Sequence, residues 1–247
     1  MKKFKLFLLT YTGGARGDFI LGWLGHLDHF RMRKWSLDPF TGRSYANYMG
    51  KFLDSVENQH RSIDDYLKDY GILLDGNSKD FIALGCHGRN LQHQLSAINA
   101  NDITLMRLYF NESKQKEVHW NFLVKTHFTE FISCPDERYD IDHILLERGI
   151  VSDSSEITEE IRRTALEEVI SKRHNCGYCE MKEYHIPTID LDYEKVFRPG
   201  GSRYLTDRLG LKAHERHHLH WDSMLPLSDA PLEFEKFGKI WRFSDYF

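Results

Sequence analysis

The chain reads as an α/β protein with a mostly parallel central sheet and helices on both faces. Three observations predict this. Short apolar runs alternate along the chain with stretches of helical period, and such alternation builds a parallel sheet whose crossovers are helices. The first apolar run ends in a glycine-rich break that opens a helix. The composition is that of an ordinary globular protein, 41% hydrophobic and 28% charged over 247 residues. A chain of this size buries a full core without staples. No internal repeat or low-complexity linker divides it, so residues 1–247 are expected to form a single domain with an insertion at about 28–80.

The elements follow in order. Phe4 to Thr10 is a short apolar run bounded by glycines, which suits a buried strand. Gly13-Gly14-Ala15-Arg16-Gly17 breaks it, and Asp18 to Leu27 reads as a helix with Phe19, Ile20, Trp23, Leu24 and Leu27 on one face. Residues 28–50 are aromatic and turn-rich, and helical patterning returns from Tyr48 to Tyr70. Phe81 to Cys86 is a second strand, followed by a helix at Asn90 to Ile98. Ile103 to Phe110, Trp120 to Thr126 and Ile141 to Leu146 read as the third, fourth and fifth strands. Thr158 to Arg173 is a long amphipathic helix, acidic at its start (Glu159, Glu160) and basic at its end (Lys172, Arg173), as the helix dipole favours. Ile186 to Leu191 is a sixth strand, and Ser202 to Leu209 a helix stopped by Gly210. From Leu211 onward the chain reads as irregular and rich in histidine and aromatics.

Charge and cysteine content narrow the function classes. The formal net charge of -4 does not favour nucleic acid or an anionic membrane. Four cysteines (Cys86, Cys134, Cys176, Cys179) are too few and too irregular for a disulfide framework, which points to a reducing compartment. Met1 to Leu9 resembles the start of a signal peptide, but its apolar run is only Leu6 to Leu9 and no cleavage site precedes the glycines. No stretch approaches the ~18 apolar residues of a membrane span. A cytoplasmic protein is the expectation.

The first loop carries the chemistry. A strand that ends in a glycine-rich loop opening a helix is an anion cradle, because backbone N–H groups and the helix N-terminus point at the ligand. Arg16 adds a fixed cationic fork. Gly13, Gly14, Ala15, Arg16, Gly17, Asp18 and Phe19 are therefore the candidate anion-binding residues. The nucleotide-kinase signature G-x-x-x-x-G-K-[ST] is absent, since no lysine follows Gly17 and no serine or threonine stands there to hold magnesium. A plain tight turn is the competing reading.

With arginine in place of that lysine, the loop resembles the 5′-phosphosulfate loop of sulfotransferases that use 3′-phosphoadenosine 5′-phosphosulfate (PAPS). Three further segments resemble that family. Phe122-Leu-Val-Lys-Thr-His127 is similar to its strand ending in Lys-Thr-His, and Ile144-Leu-Leu-Glu-Arg148 to the strand whose arginine binds the 3′-phosphate. Ile189-Asp-Leu-Asp-Tyr-Glu194 is similar to its late strand and Tyr-Glu motif, followed by a helix ending in Leu209-Gly-Leu211. The resemblance implies a P-loop-like sulfotransferase fold and PAPS as donor substrate. It also implies transfer to a hydroxyl or amine of a small-molecule or glycan acceptor. Lys125 and Arg16 would then stabilise charge on the leaving oxygen. His127 would take the acceptor proton, while Arg148 and Ser155 would hold the 3′-phosphate. Lys125 and His127, two apart on a strand, would share a face. Two departures stand out. Asp18 replaces the usual hydroxyl residue after the loop glycine, and Ser152 and Ser154 rival Ser155. A second register is open, in which Cys86-His87 and Arg107 take the places of the Lys-Thr-His segment and Arg148.

Other constellations compete. His174, Cys176, Cys179 and His185 have the spacing of a small zinc site, although a Cys-x-x-Cys pair also serves redox chemistry or sits reduced in a turn. His214-Glu215-Arg216-His217-His218 matches H-E-x-x-H, but Gly210 precedes it and Pro226 follows, so a solvated histidine-rich segment is expected over a metallopeptidase helix. Another P-loop-like nucleotide-dependent transferase or kinase, or a non-catalytic zinc-stapled nucleotide-binding module, remains the alternative.

Overall fold

The computed structural model describes residues 5–11, 15–30, 81–86, 103–127, 140–173, 186–225 and 229–247. The chain folds as two compact units. Met1–Phe110 and Cys179–Leu227 form the first; Asn111–Tyr178 and Ser228–Phe247 form the second. The insertion expected at about 28–80 and the helices expected at Tyr48 to Tyr70 and Asn90 to Ile98 lie almost wholly outside the described residues.

The first unit is built on a parallel sheet of four strands: β1 (Lys5–Thr10), β2 (Phe81–Cys86), β3 (Ile103–Tyr109) and β4 (Thr188–Asp192), in the spatial order β2-β1-β3-β4. β1 is central, with Leu6, Leu8 and Leu9 fully buried. Its continuous apolar run is what a strand covered on both faces requires. Helix α1 (Gly17–Leu24) follows β1 and packs on β1 and β2. Phe19, Ile20, Leu21, Trp23 and Leu24 are all fully buried, so this helix is apolar all round because it is enclosed all round. The α/β architecture and the strands at 81–86 and 103–109 match the sequence expectation.

Two expected strands are corrected. Trp120 to Thr126 lies inside helix α2 (Glu112–His127), and Ile141 to Leu146 inside helix α3 (Ile141–Glu147). Both belong to the second unit. Asn111 caps α2 by accepting from Lys114 N at 2.8 Å, and Asp140 caps α3 by accepting from Asp142 N at 2.7 Å. Trp120, Leu123, Val124 and His127 fall at i, i+3, i+4 and i+7, one buried helical face. Ile141, Ile144 and Leu145 repeat that spacing. At the end of α3, Gly149 takes φ +65° and Ile150 N bonds Leu145 O at 3.0 Å, a reversal that stops the helix.

Helix α4 (Glu159–Arg173) falls where expected. Arg162 on α4 grips Asp142 on α3 through two bonds of 2.7 Å, which pushes the guanidinium pKa up. After β4 come α5 (Tyr193–Val196), α6 (Gly201–Leu209) and α7 (Glu215–Ser223), then the hairpin β5 (Glu233–Lys236) and β6 (Lys239–Arg242). The tail is thus not irregular. In the second unit Trp120 and Trp241 share a core with Leu166 and Ile170, against which Phe234, Phe243 and Tyr246 pack.

The histidine-rich segment is also corrected. Its helix α7 buries His217, His218 and Trp221. Trp221 meets Phe19 edge-on at 4.6 Å and Trp23 at 5.2 Å between ring centroids, and Trp23 Nε1 donates to His217 O at 2.9 Å. One tryptophan turns a segment that is otherwise polar into the cover of α1.

Candidate functional site

In an open α/β sheet, ligands bind outside the carboxyl ends of the strands where the strand order reverses. From β1 the chain moves to β2 on one side; from β3 it moves to β4 on the other. The switch point therefore falls between β1 and β3, above Thr10 and Tyr109. The loop leaving β1 is the glycine-rich one.

Of that loop, Gly13 and Gly14 lie outside the described residues. Ala15 is fully buried, and Arg16 is the N-cap of α1 at φ 58°, ψ 27°. A left-handed conformation is uncommon for a side-chain-bearing residue and concentrates at ligand-binding loops. Gly17 opens the helix. A Cβ there would stand 2.3 Å from Cγ of Tyr11, so the Tyr11 ring lies directly on the Gly17 backbone. Gly85 on β2 is similarly confined, with an added Cβ 2.7 Å from Leu21 Cδ1 and 3.1 Å from Tyr11 Cε1. Tyr11 then donates its hydroxyl to Asp18 Oδ1 at 2.5 Å. Asp18, whose charge opposes an anion at this loop, is thus hydrogen-bonded and sits in the first turn, where a carboxylate suits the helix dipole. Phe19 is core: its ring faces Trp221 and Phe197 and its N–H donates to Arg16 O at 3.0 Å. Tyr11, a residue that sequence reasoning did not single out, thus packs on Gly17 and bonds Asp18 at the start of α1.

The strand ends form a rung across the sheet. Cys86 pairs in register with Thr10, Thr10 with Arg107, and Arg107 with Asp190. Arg107 Nε and Nη2 reach Asp190 Oδ1 and Oδ2 at 2.6 and 3.0 Å. One rung on, Tyr109 pairs with Asp192 and its hydroxyl donates to Asp192 Oδ2 at 3.4 Å. Loss of solvation, followed by the charge of Asp192, raises the Tyr109 pKa.

The remaining candidates belong to the second unit. Lys125 and His127 lie on helix α2, not on a strand. Two residues along a helix turn about 200° around its axis, so the shared strand face does not hold. His127 closes α2 at 4% exposure. Arg148 follows α3 as an exposed cap residue. Ser155 gives both its hydroxyl and its N–H to Asp153 in a 3-10 turn and lowers that carboxyl's pKa. The structure thus groups Ala15, Arg16, Gly17, Asp18 and Phe19, and sets Arg107 of the second register on the strand beside β1. His87 lies outside the described residues, as do His174, Cys176, Cys179 and His185.

The H-E-x-x-H residues have other partners. His214 Nε2 lies 3.2 Å from Asp28, Glu215 takes Arg203 through both oxygens, and His218 Nδ1 lies 2.9 Å from Ser202 Oγ in the core. Among the described residues no group of three or more histidine, cysteine or acidic side chains is placed to hold a metal. No described helix is long and apolar enough to cross a membrane.

His217 and His218 are 8% and 6% exposed. Burial, then Arg216, lowers the pKa of His217 against the opposing pull of Asp28; burial, then Arg203, lowers that of His218. The unfolded chain therefore takes up these protons more readily than the fold does. Their contribution to stability is complete above the ordinary value of 6.5 and is lost as pH falls through the lowered folded values. Thermal unfolding followed from about pH 8 to about pH 5 is expected to show the melting temperature falling with pH, most steeply below the ordinary histidine range. His217→Gln and His218→Gln should each flatten this dependence; an unchanged slope in both would contradict the assignment.

No family model and no curated protein matches the chain. Among solved structures, it is similar to a sulfotransferase from Alicyclobacillus acidocaldarius, with a TM-score of 0.39 and 12% identity over 86% of this chain and 83% of that one. It is also similar to the sulfotransferase domain from the curacin biosynthetic pathway, with a TM-score of 0.38 and 13% identity over 87% of this chain and 76% of that one.

Proposed function

We propose that the chain is a sulfotransferase that takes the sulfuryl group from PAPS and passes it to a hydroxyl or amine acceptor, with carbohydrates the first class to screen. The observation that carries this reading is the loop before α1. It stands at the switch point of a parallel sheet, with Arg16 at the N-cap in a left-handed conformation and Gly17 held against Tyr11. Backbone N–H groups of the loop and first turn suit the 5′-phosphosulfate. Arg16, at the mouth of the loop, suits the bridging oxygen that gains charge as the sulfur–oxygen bond breaks. The bonding electrons stay on the nucleotide, which departs as 3′-phosphoadenosine 5′-phosphate, and the acceptor proton passes to a base. His87 and His127 are the candidate bases. Lys125 and Arg16 are the candidate cations.

For the 3′-phosphate we assign Arg107 ahead of Arg148. Arg107 is carried by the strand adjoining β1 and is oriented by Asp190, whereas Arg148 is an exposed residue at a helix end with Ser155 engaged by Asp153. The test is calorimetric titration of the intact chain with 3′-phosphoadenosine 5′-phosphate, ATP and AMP. Selective binding of the first, weakened about tenfold or more by Arg16→Ala and by Arg107→Ala but not by Arg148→Ala, is the expected result. Loss in Arg148→Ala instead would restore the first register. Preference for ATP would favour a kinase-like transferase, and no nucleotide binding by the folded chain would remove the reading.

A further inference from the structure

We infer that Asp190 is a positioning residue for the nucleotide site. Its carboxylate orients the Arg107 guanidinium and thereby sets the preference for a nucleotide with a 3′-phosphate. The inference rests on the assignment of Arg107 made above.

The geometry is specific. Arg107 and Asp190 are in-register partners on β3 and β4, so the backbone ladder between these strands holds their Cα atoms before the side chains meet. The carboxylate takes the Nε–Nη2 edge of the guanidinium at 2.6 and 3.0 Å, which fixes the plane and roll of the fork as a single contact would not. The exposures are unequal, 11% for the arginine side chain and 38% for the aspartate, so the cation is the enclosed partner and the anion the one facing water. A guanidinium that loses this two-point contact loses what fixes its plane and roll. Asp190 is itself braced: Arg208 Nη2 donates to its backbone oxygen at 3.2 Å.

The neighbouring rung follows the same pattern. Asp190 and Asp192 alternate along β4 and meet Arg107 and Tyr109, which alternate along β3. The Asp-Leu-Asp run thus places two carboxylates on one face of the sheet at its carboxyl end. One sets a cation; the other serves as N-cap of α5, accepting from Glu194 N at 3.1 Å. A carboxylate present only to tie β4 to β3 would change stability without changing which nucleotide binds. A positioning carboxylate changes the difference between two nucleotides that differ only in the 3′-phosphate.

The experiment compares 3′-phosphoadenosine 5′-phosphate with AMP by calorimetry, in the intact chain and in Asp190→Asn, Asp190→Glu, Arg107→Lys and the double variant Asp190→Asn/Arg107→Lys, with thermal melts alongside. Asp190→Asn keeps the shape and loses the charge; Asp190→Glu keeps the charge and moves it by one methylene. Each Asp190 variant is expected to weaken the 3′-phosphorylated nucleotide about tenfold and to leave AMP unchanged. The double variant is expected to lose no more than Arg107→Lys alone. A lowered melting temperature with an unchanged ratio of the two affinities would overturn the inference, and so would tighter binding in Asp190→Asn, which would make Asp190 a competitor of the phosphate. If the unaltered chain prefers the 3′-phosphorylated nucleotide and Arg107→Lys keeps that preference, this inference falls together with the Arg107 assignment, and the donor reading stands. If the unaltered chain shows no preference, the donor reading falls and takes this inference with it.

Discussion

Trp221→Ala is expected to destabilise the first unit by about 3–5 kcal/mol, the usual cost of emptying a buried tryptophan site. Trp221 is fully buried, and its ring is the meeting point of Phe19, Trp23 and Phe197 at centroid distances of 4.6, 5.2 and 6.2 Å. Beside these ring contacts, Trp23 Nε1 donates to His217 O at 2.9 Å. His214 and Arg216 reach Asp28 only in exposed pairs, and such pairs contribute about 0–1 kcal/mol. The loss should therefore reach the loop, because α1 begins there. We expect chemical denaturation to show a lower midpoint, and nucleotide affinity to fall even at temperatures where the variant remains folded. Trp221→Phe should cost far less. Among the described residues the indole N–H has no acceptor, so this smaller ring removes an unmet donor while keeping most of the packing. Similar losses in both variants would show that ring volume is not what holds the helix.

Gly17→Ala sets two effects of opposite sign against each other. Alanine inside a helix is favoured over glycine by about 1 kcal/mol. The new Cβ, however, would meet Cγ, Cδ1 and Cδ2 of Tyr11 at 2.3–2.5 Å. Those atoms belong to the ring and its root, so the ring has to leave as a body, and overpacking of this kind costs about 1–3 kcal/mol. The contact wins. Displacing the ring also breaks the bond to Asp18 at the start of α1. We expect modest destabilisation and a loss of nucleotide affinity well beyond it. Tyr11→Phe, which keeps the ring and drops the hydroxyl, should lose only about 0.5–1.5 kcal/mol. Unchanged affinity in Gly17→Ala would place the nucleotide elsewhere.

The sheet was legible because its signals are local. A strand enclosed on both faces shows as an uninterrupted apolar run, as in Leu6 to Leu9, and Gly13 to Gly17 marks where it ends. The long helix at 159–173 announces itself through charges placed to suit its dipole. Trp120 to Thr126 and Ile141 to Leu146 misled for a physical reason. Within six or seven residues a buried strand and one side of a helix look alike, and the cap decides between them. Asn111 and Asp140 stand before these segments and supply that cap. The i, i+3, i+4, i+7 spacing of Trp120, Leu123, Val124 and His127 was available as a second signal.

By itself the sequence determined the class of fold, the central strand and the glycine-rich break that opens α1, since these depend on the order of apolar runs and glycines along a few consecutive residues. The tertiary structure alone decided what packs on Gly17 and which arginine stands in register with the end of β1. Arg107 and Asp190 are 83 residues apart and meet because two strands take the same register. Trp23 and His217 are 194 apart and meet because α7 needs an apolar face for Trp221. Register and packing arise from the whole buried surface at once, and no short window of sequence carries them.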